Sequence, residues 1–173
     1  MTKVLVTYAS KHGSTAEIAE TVAETLRNSG MDVDCLDTAH VFSVDPYEAV
    51  VLGSAIYMRR WRPQARHFLR KYAATLRERP FWVFSSGPCG QPRNANGEWG
   101  EPHRTIAKAQ LLGMRGHIVF GGRLSLQSHG LARAMAERCP PRYRDRRDWD
   151  QICAWAQSIA RQLDDVRDAT RAA

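Results

Sequence analysis

Val4-Leu5-Val6-Thr7-Tyr8-Ala9-Ser10-Lys11-His12-Gly13-Ser14-Thr15-Ala16 changes character twice. Its first half is a short β-branched apolar run, which reads as a buried strand. A small polar loop with one glycine follows, and a helical pattern begins at once. The first N–H groups of a helix lack intrahelical acceptors and lie at the positive end of its dipole, so this succession forms an anion site. Ser10, Ser14 and Thr15 add hydroxyl donors, and Gly13 permits close approach or a positive φ. The stretch reads as a phosphate cradle. The same residues also suit a turn and N-cap with no ligand, and the rest of the chain must choose.

Outward from the cradle, Ile18, Ala19, Val22, Ala23 and Leu26 keep helical spacing up to Gly30, a suitable C′ stop. Residues 31–36 alternate polar and apolar, as a strand near a sheet edge does. Ala49 to Ala55 is continuously apolar and ends in small residues, the mark of a central strand buried on both faces. Pro63 opens a helix whose stripe is Ala65, Phe68, Leu69, Tyr72, Ala73 and Leu76. Phe81 to Ser86 is a strand broken by Gly87-Pro88-Cys89-Gly90, and Gln91 to Pro102 is a long loop. A short helix from His103 to Leu112, a fifth strand from Gly116 and a brief helix from Leu131 to Cys139 follow. Arg142 to Arg147 is a basic run, read first as a disordered solvated turn and second as a contact for acidic lipid or an acidic partner. A last helix starts near Asp148, with Trp149 and Trp155 on its core face, and frays from Asp164.

Five strands alternating with helices call for a doubly wound α/β fold: a parallel sheet covered on both faces. The 173 residues, 43% hydrophobic, suit one domain. No window has the length of a transmembrane helix, and strand-like sequence begins at residue 3 with no signal peptide, so the expected location is the cytoplasm. Four separated cysteines without a C-x-x-C predict neither a zinc site nor a disulfide framework. Cys35 and Cys153 read as separate reduced thiols, and Cys89, in a glycine-rich loop, is the one to test for reactivity. The net charge of +7 permits nucleic acid, an anionic membrane surface or a small polyanion, but no nucleic-acid-binding motif is present.

Ligands of such sheets bind beyond the carboxyl ends of the strands, where strand order reverses. Three strand ends carry small and hydroxyl residues: Ser10 to Thr15, Gly53 to Tyr57, and Ser85 to Gly90. Neither G-x-x-x-x-G-K-[ST] nor G-x-G-x-x-G occurs, so a single-glycine, hydroxyl-rich loop fits a terminal monophosphate better than a pyrophosphate.

Ser10-x-x-Gly13-x-Thr15 after strand one resembles the phosphate loop of flavodoxins. Gly53-Ser54-Ala55-Ile56-Tyr57 and Ser85-Ser86-Gly87-Pro88 fall where that family's two ring-flanking loops lie. The resemblance implies a flavodoxin-like five-stranded sheet of order 2-1-3-4-5, over residues 1–166 with a frayed tail at 167–173, and one FMN at the switch point. Ser10, His12, Gly13, Ser14 and Thr15 would hold the phosphate. Ala55, Ile56 and Tyr57, in loop 53–58, and Ser86, Gly87, Pro88, Cys89 and Gly90 would flank the ring. Gly53 to Tyr57, a segment at about 124–147 after strand five, and Asp148 to Ile152 also resemble the menaquinone-dependent protoporphyrinogen dehydrogenase branch. That implies a quinone acceptor and contact with the membrane periphery.

Several residues carry competing readings. His12 is read as solvent-exposed first and as a phosphate contact second. Tyr57 and Trp61 are partly buried aromatics or ring and substrate contacts, and Trp99 is a loop anchor. Arg59, Arg60 and Arg62 are singly a solvated surface. As a group beside a redox ring they would favour its anionic reduced form and receive substrate carboxylates, with Arg59, Arg60 and Trp61 as the substrate-binding set. Asp37 and Asp45 are isolated carboxylates with no catalytic role. The absence of a metal set, nucleophile triad or acid–base pair leaves electron or hydride transfer at the flavin as the chemistry. Positive charge and the extra segment favour an enzyme oxidising protoporphyrinogen with a quinone. The segment's short, polar character favours an electron carrier between a reductase and an acidic acceptor protein.

Overall fold

A computed structural model describes residues 1–57, 59–87 and 102–172. In chain order the elements are β1 (Lys3–Ala9), α1 (Ser14–Asn28), β2 (Asp32–Asp37), β3 (Ala49–Tyr57), β4 (Arg60–Trp61), α2 (Pro63–Lys71), α3 (Ala73–Arg77), β5 (Phe81–Ser86), α4 (His103–Leu111), β6 (Gly116–Phe120), α5 (Leu131–Arg138) and α6 (Trp149–Ala172). The sheet order is β2-β1-β3-β5-β6, all parallel, so the five expected strands stand in the expected sequence. The sixth strand, β4, was not anticipated. It is two residues long and pairs antiparallel with the end of β3.

Successive side chains on a strand point to opposite faces, which divides each apolar run between two cores. Val4 and Val6, Ala49 and Val51, and Trp82 and Phe84 pack with the stripes of α1 and α6 on one face. Leu5, Val50, Leu52, Phe81 and Val83 pack with α2, α3 and α4 on the other. Gly53 is fixed by its sheet partner Phe84, whose ring occupies the place a β-carbon would take. That ring then meets Phe120 and Trp155 at centroid distances of 5.7 and 6.0 Å. Gly30 ends α1 with φ 85°, its N–H donating to Arg27 O and that of Met31 to Leu26 O, as a left-handed C′ residue requires.

The sequence expectations are corrected in four places. The helix from Pro63 breaks at Tyr72, whose hydroxyl lies within hydrogen-bonding distance of the Val41 and Phe42 carbonyls (3.0 and 3.1 Å), and resumes as α3. Trp149 is not core: it is 41% exposed, under the Arg147 guanidinium at 4.6 Å. Helical backbone continues to Ala172, through the stretch expected to fray. The basic run at 142–147 is not a disordered solvated turn, although Arg142 and Asp145 are exposed. Leu124 N–H donates to Arg144 O (2.7 Å) and Arg146 N–H to Gly122 O (3.0 Å), so the run pairs alongside the chain leaving β6. Arg144 Nε also donates to the Ala136 and Cys139 carbonyls at the end of α5.

Cys35, Cys139 and Cys153 are free thiols. Burial and the Glu20 carboxylate push the Cys35 thiol up to about 12, so it stays protonated. Among the described residues no helix is long and apolar enough to cross a membrane, and no His/Cys/Asp/Glu group could hold a metal ion.

Candidate functional site

Three strand ends converge at the carboxyl edge of the sheet, and the first is the loop opening α1. Ser10 Oγ accepts the Gly13 N–H at 3.1 Å, which closes the loop on itself. Gly13 takes φ 85° as the residue before the helix, and no side chain caps the helix there. The first turn's amides thus have neither an intrahelical acceptor nor a side-chain cap. Thr15 is buried. Ser14 Oγ is buried too and has no hydrogen-bond partner among the described residues. A buried hydroxyl left unpaired costs about 1–3 kcal/mol, so its presence points to an acceptor that belongs there.

The electrostatics agree. The His12 imidazole is held below its ordinary 6.5 by burial first, then by the positive charges of Lys11 and Arg62, with His129 also acting on it. His129 was not foreseen; it comes from the excursion after β6, with no motif to announce it. His12 is half-buried rather than fully exposed, and its ring stands edge-on to Tyr57 at 6.3 Å.

The second strand end differs from an open loop. Gly53, Ser54 and Ala55 are buried within β3, Ile56 is half-buried, and only Tyr57, 41% exposed, reaches the rim. The chain then turns back as a hairpin pairing Ile56 with Trp61 and Tyr57 with Arg60. Arg59 sits in the bend at φ 61°. Two serines hold the return strand. Ser54 Oγ accepts the Arg62 N–H at 3.0 Å, and Ser85 Oγ, its sheet neighbour, accepts Trp61 Nε1–H at 2.8 Å. His117 Nε2 lies 3.0 Å from the same Ser85 oxygen. Trp61, read either as a partly buried aromatic or as a ring and substrate contact, is 1% exposed and anchors the hairpin. Arg59 and Arg60 are exposed, while Arg62 stands 6.0 Å from the Tyr57 ring with a buried, unpartnered Nε.

At the third strand end Ser86 is buried and Gly87 has φ 90°, its N–H donating to Phe120 O at 3.2 Å. A β-carbon on Gly87 would lie 3.9 Å from Ile56 O, so the second and third loops are neighbours. Pro88, Cys89 and Gly90, with Met58 and Trp99, lie outside the described residues.

The family comparison identifies the architecture. A family model described as a flavodoxin domain matches residues 5–136. A flavodoxin from the domain Archaea superposes with TM-score 0.64 at 17% identity, over 94% of this chain and 99% of that one. Flavodoxin 1 from Bacillus cereus gives 0.59 at 13%, over 92% and 98%. The rubredoxin oxygen:oxidoreductase of Desulfovibrio gigas gives 0.63 at 18%, over 94% of this chain and 36% of that protein. At such identities the superpositions show the fold alone. No curated protein sequence matches the chain.

Proposed function

The chain belongs to the flavodoxin domain family, and from that premise we propose that it holds one FMN and passes electrons through it. The observation that carries the reading is the unpartnered Ser14 hydroxyl at the head of α1, two residues from His12, on which the positive charges of Lys11 and Arg62 act. A phosphate supplies the acceptor that this hydroxyl and the first-turn amides lack. Ser10, His12, Gly13 and Thr15 complete the cradle. Ala55 and Ile56 on one side, and Ser86 and Gly87 with Pro88 to Gly90 on the other, are assigned to the ring, and Tyr57 to its exposed edge. The bound flavin supplies the one- and two-electron chemistry; the chain orients it and sets its potential.

The partner side rests on the arginines. Arg59 and Arg60 on the hairpin, and Arg66 and Arg70 one turn apart on α2, are exposed, and none has a carboxylate partner among the described residues. Arg59 and Arg60 follow the proposed ring-edge residue Tyr57 in the hairpin, and exposed guanidinium groups there suit an acidic redox protein. A second reading, oxidation of protoporphyrinogen with electrons passing to a quinone, draws on Arg59 and Arg60 alone, whose guanidinium groups fit propionates. The deciding experiment reduces the FMN-loaded protein anaerobically and offers an acidic redox protein. Parallel reactions supply protoporphyrinogen and a quinone to the oxidised form. Fast, salt-sensitive reduction of the protein acceptor is expected. Turnover of protoporphyrinogen with no electron flow to the protein acceptor would replace this reading by the second.

A further inference from the structure

The cradle has a carboxylate beside it. Glu17 is in the first turn of α1, and its Oε1 lies 3.9 Å from the place of a β-carbon on Gly13. Negative charge there suits the helix dipole of the empty protein but opposes an incoming phosphate. Two arginines from the far end of the chain cover it. Arg123 Nη2 stands 2.6 Å from Oε1 and Arg147 Nη1 2.5 Å from Oε2.

Arg147 is placed by more than this contact. Its side chain is 4% exposed, and its other nitrogens bond Asp145 at 2.6 and 2.9 Å. These bonds hold the Asp145 carboxyl below the usual carboxylate range. Beside it, Arg146 pairs with Gly122, and Gly121 leaves no room for a β-carbon against the Arg146 carbonyl. Backbone pairing at Arg146 and the Asp145 carboxylate thus hold Arg147 independently of Glu17. The four charges cancel.

We propose that Arg147, with Arg123, is a positioning residue for the cofactor phosphate: by neutralising Glu17 it sets the affinity of the cradle for a dianion it does not itself touch. The inference rests on the assignment of Ser10 to Thr15 to the FMN phosphate. The excursion between β6 and α6 thereby becomes part of the cofactor site, although its sequence carries no cofactor motif.

The test compares dissociation constants for FMN and for riboflavin, which lacks the phosphate, by flavin fluorescence quenching at low and high salt. Wild type, Glu17→Gln, Arg147→Gln and the double variant are used. Arg147→Gln should weaken FMN roughly tenfold at low salt, the scale of one uncompensated charge at a half-exposed site, and leave riboflavin unchanged. Glu17→Gln should tighten FMN roughly threefold or more, and the double variant should return to within about twofold of wild type. All these differences should shrink at high salt. Equal weakening of FMN and riboflavin by Arg147→Gln would reduce Arg147 to a structural role and overturn the proposal. Glu17→Gln, at an exposed carboxylate, decides the matter if the buried arginine cannot be replaced without unfolding; unchanged FMN affinity in that variant overturns it. Wild-type protein that prefers FMN yet ignores Glu17 contradicts this inference alone. Wild-type protein that binds FMN no better than riboflavin removes the cradle assignment, and the inference with it.

Discussion

Ser14 and His12 carry the sharpest residue-level consequences. Ser14 Oγ is buried without a partner, so in flavin-free protein it opposes folding. Ser14→Ala should therefore leave the flavin-free unfolding free energy unchanged or raise it by up to about 1 kcal/mol, while weakening FMN about tenfold. Urea denaturation and flavin titration of one preparation check both; loss of stability with intact affinity would mean the hydroxyl serves the fold. His12 is held below 6.5 by burial and then by neighbouring positive charge. The unfolded chain consequently binds more protons in the window just below that value. The His12 contribution to stability is therefore lost as pH falls through it. A phosphate beside the ring should reverse the depression. Proton NMR should show the His12 midpoint below 6.5 in the flavin-free protein and higher with FMN. An unmoved midpoint would put the phosphate elsewhere.

At the level of elements, the hairpin after β3 is held by one buried tryptophan and two serines. Trp61→Phe deletes the indole donor to Ser85 and part of a close-packed ring. A loss of about 2 kcal/mol is expected, with weaker flavin binding from a loosened second loop. Denaturant midpoints and flavin affinity read this out. An unaffected midpoint would show that the hairpin does not depend on the bond. These elements also mark what is legible in one sequence. Strands β1, β3 and β5 and helix α1 followed from local pattern, because an apolar run between a turn and a helix leaves few alternatives, whereas the strand order came from the resemblance of the three strand-end loops to a known family. The glycine at position 13 and the hydroxyls around it marked the loop that opens α1 for the same reason. The bond between Trp61 and Ser85 was not legible because it spans strands and has no spacing rule. The run at 142–147 looked solvated because charge density suggests exposure. Arg147 is buried against Glu17 across 130 positions, and only the fold brings them together.

At the scale of the whole molecule, 25 basic against 18 acidic residues leave a positive surface, and Arg59 and Arg60 of the hairpin, with no carboxylate partner among the described residues, follow the proposed ring-edge residue Tyr57. Arg59→Gln with Arg60→Gln should slow association with an acidic redox protein roughly tenfold at low salt and little at high salt. Stopped-flow rates across a salt series check this, and rates insensitive to both would move docking to another face. The same double variant should lower the reduction potential of the bound flavin, because positive charge at the ring edge favours its anionic reduced form. All of this depends on one cofactor seated by its phosphate. The most direct measurement is a visible-region titration of the purified, flavin-free protein with FMN and, in parallel, with riboflavin. Saturation at one FMN per chain, with riboflavin at least about tenfold weaker, is the predicted result. No saturable FMN binding, or equal affinity for the two flavins, would contradict the assignment of Ser10 to Thr15.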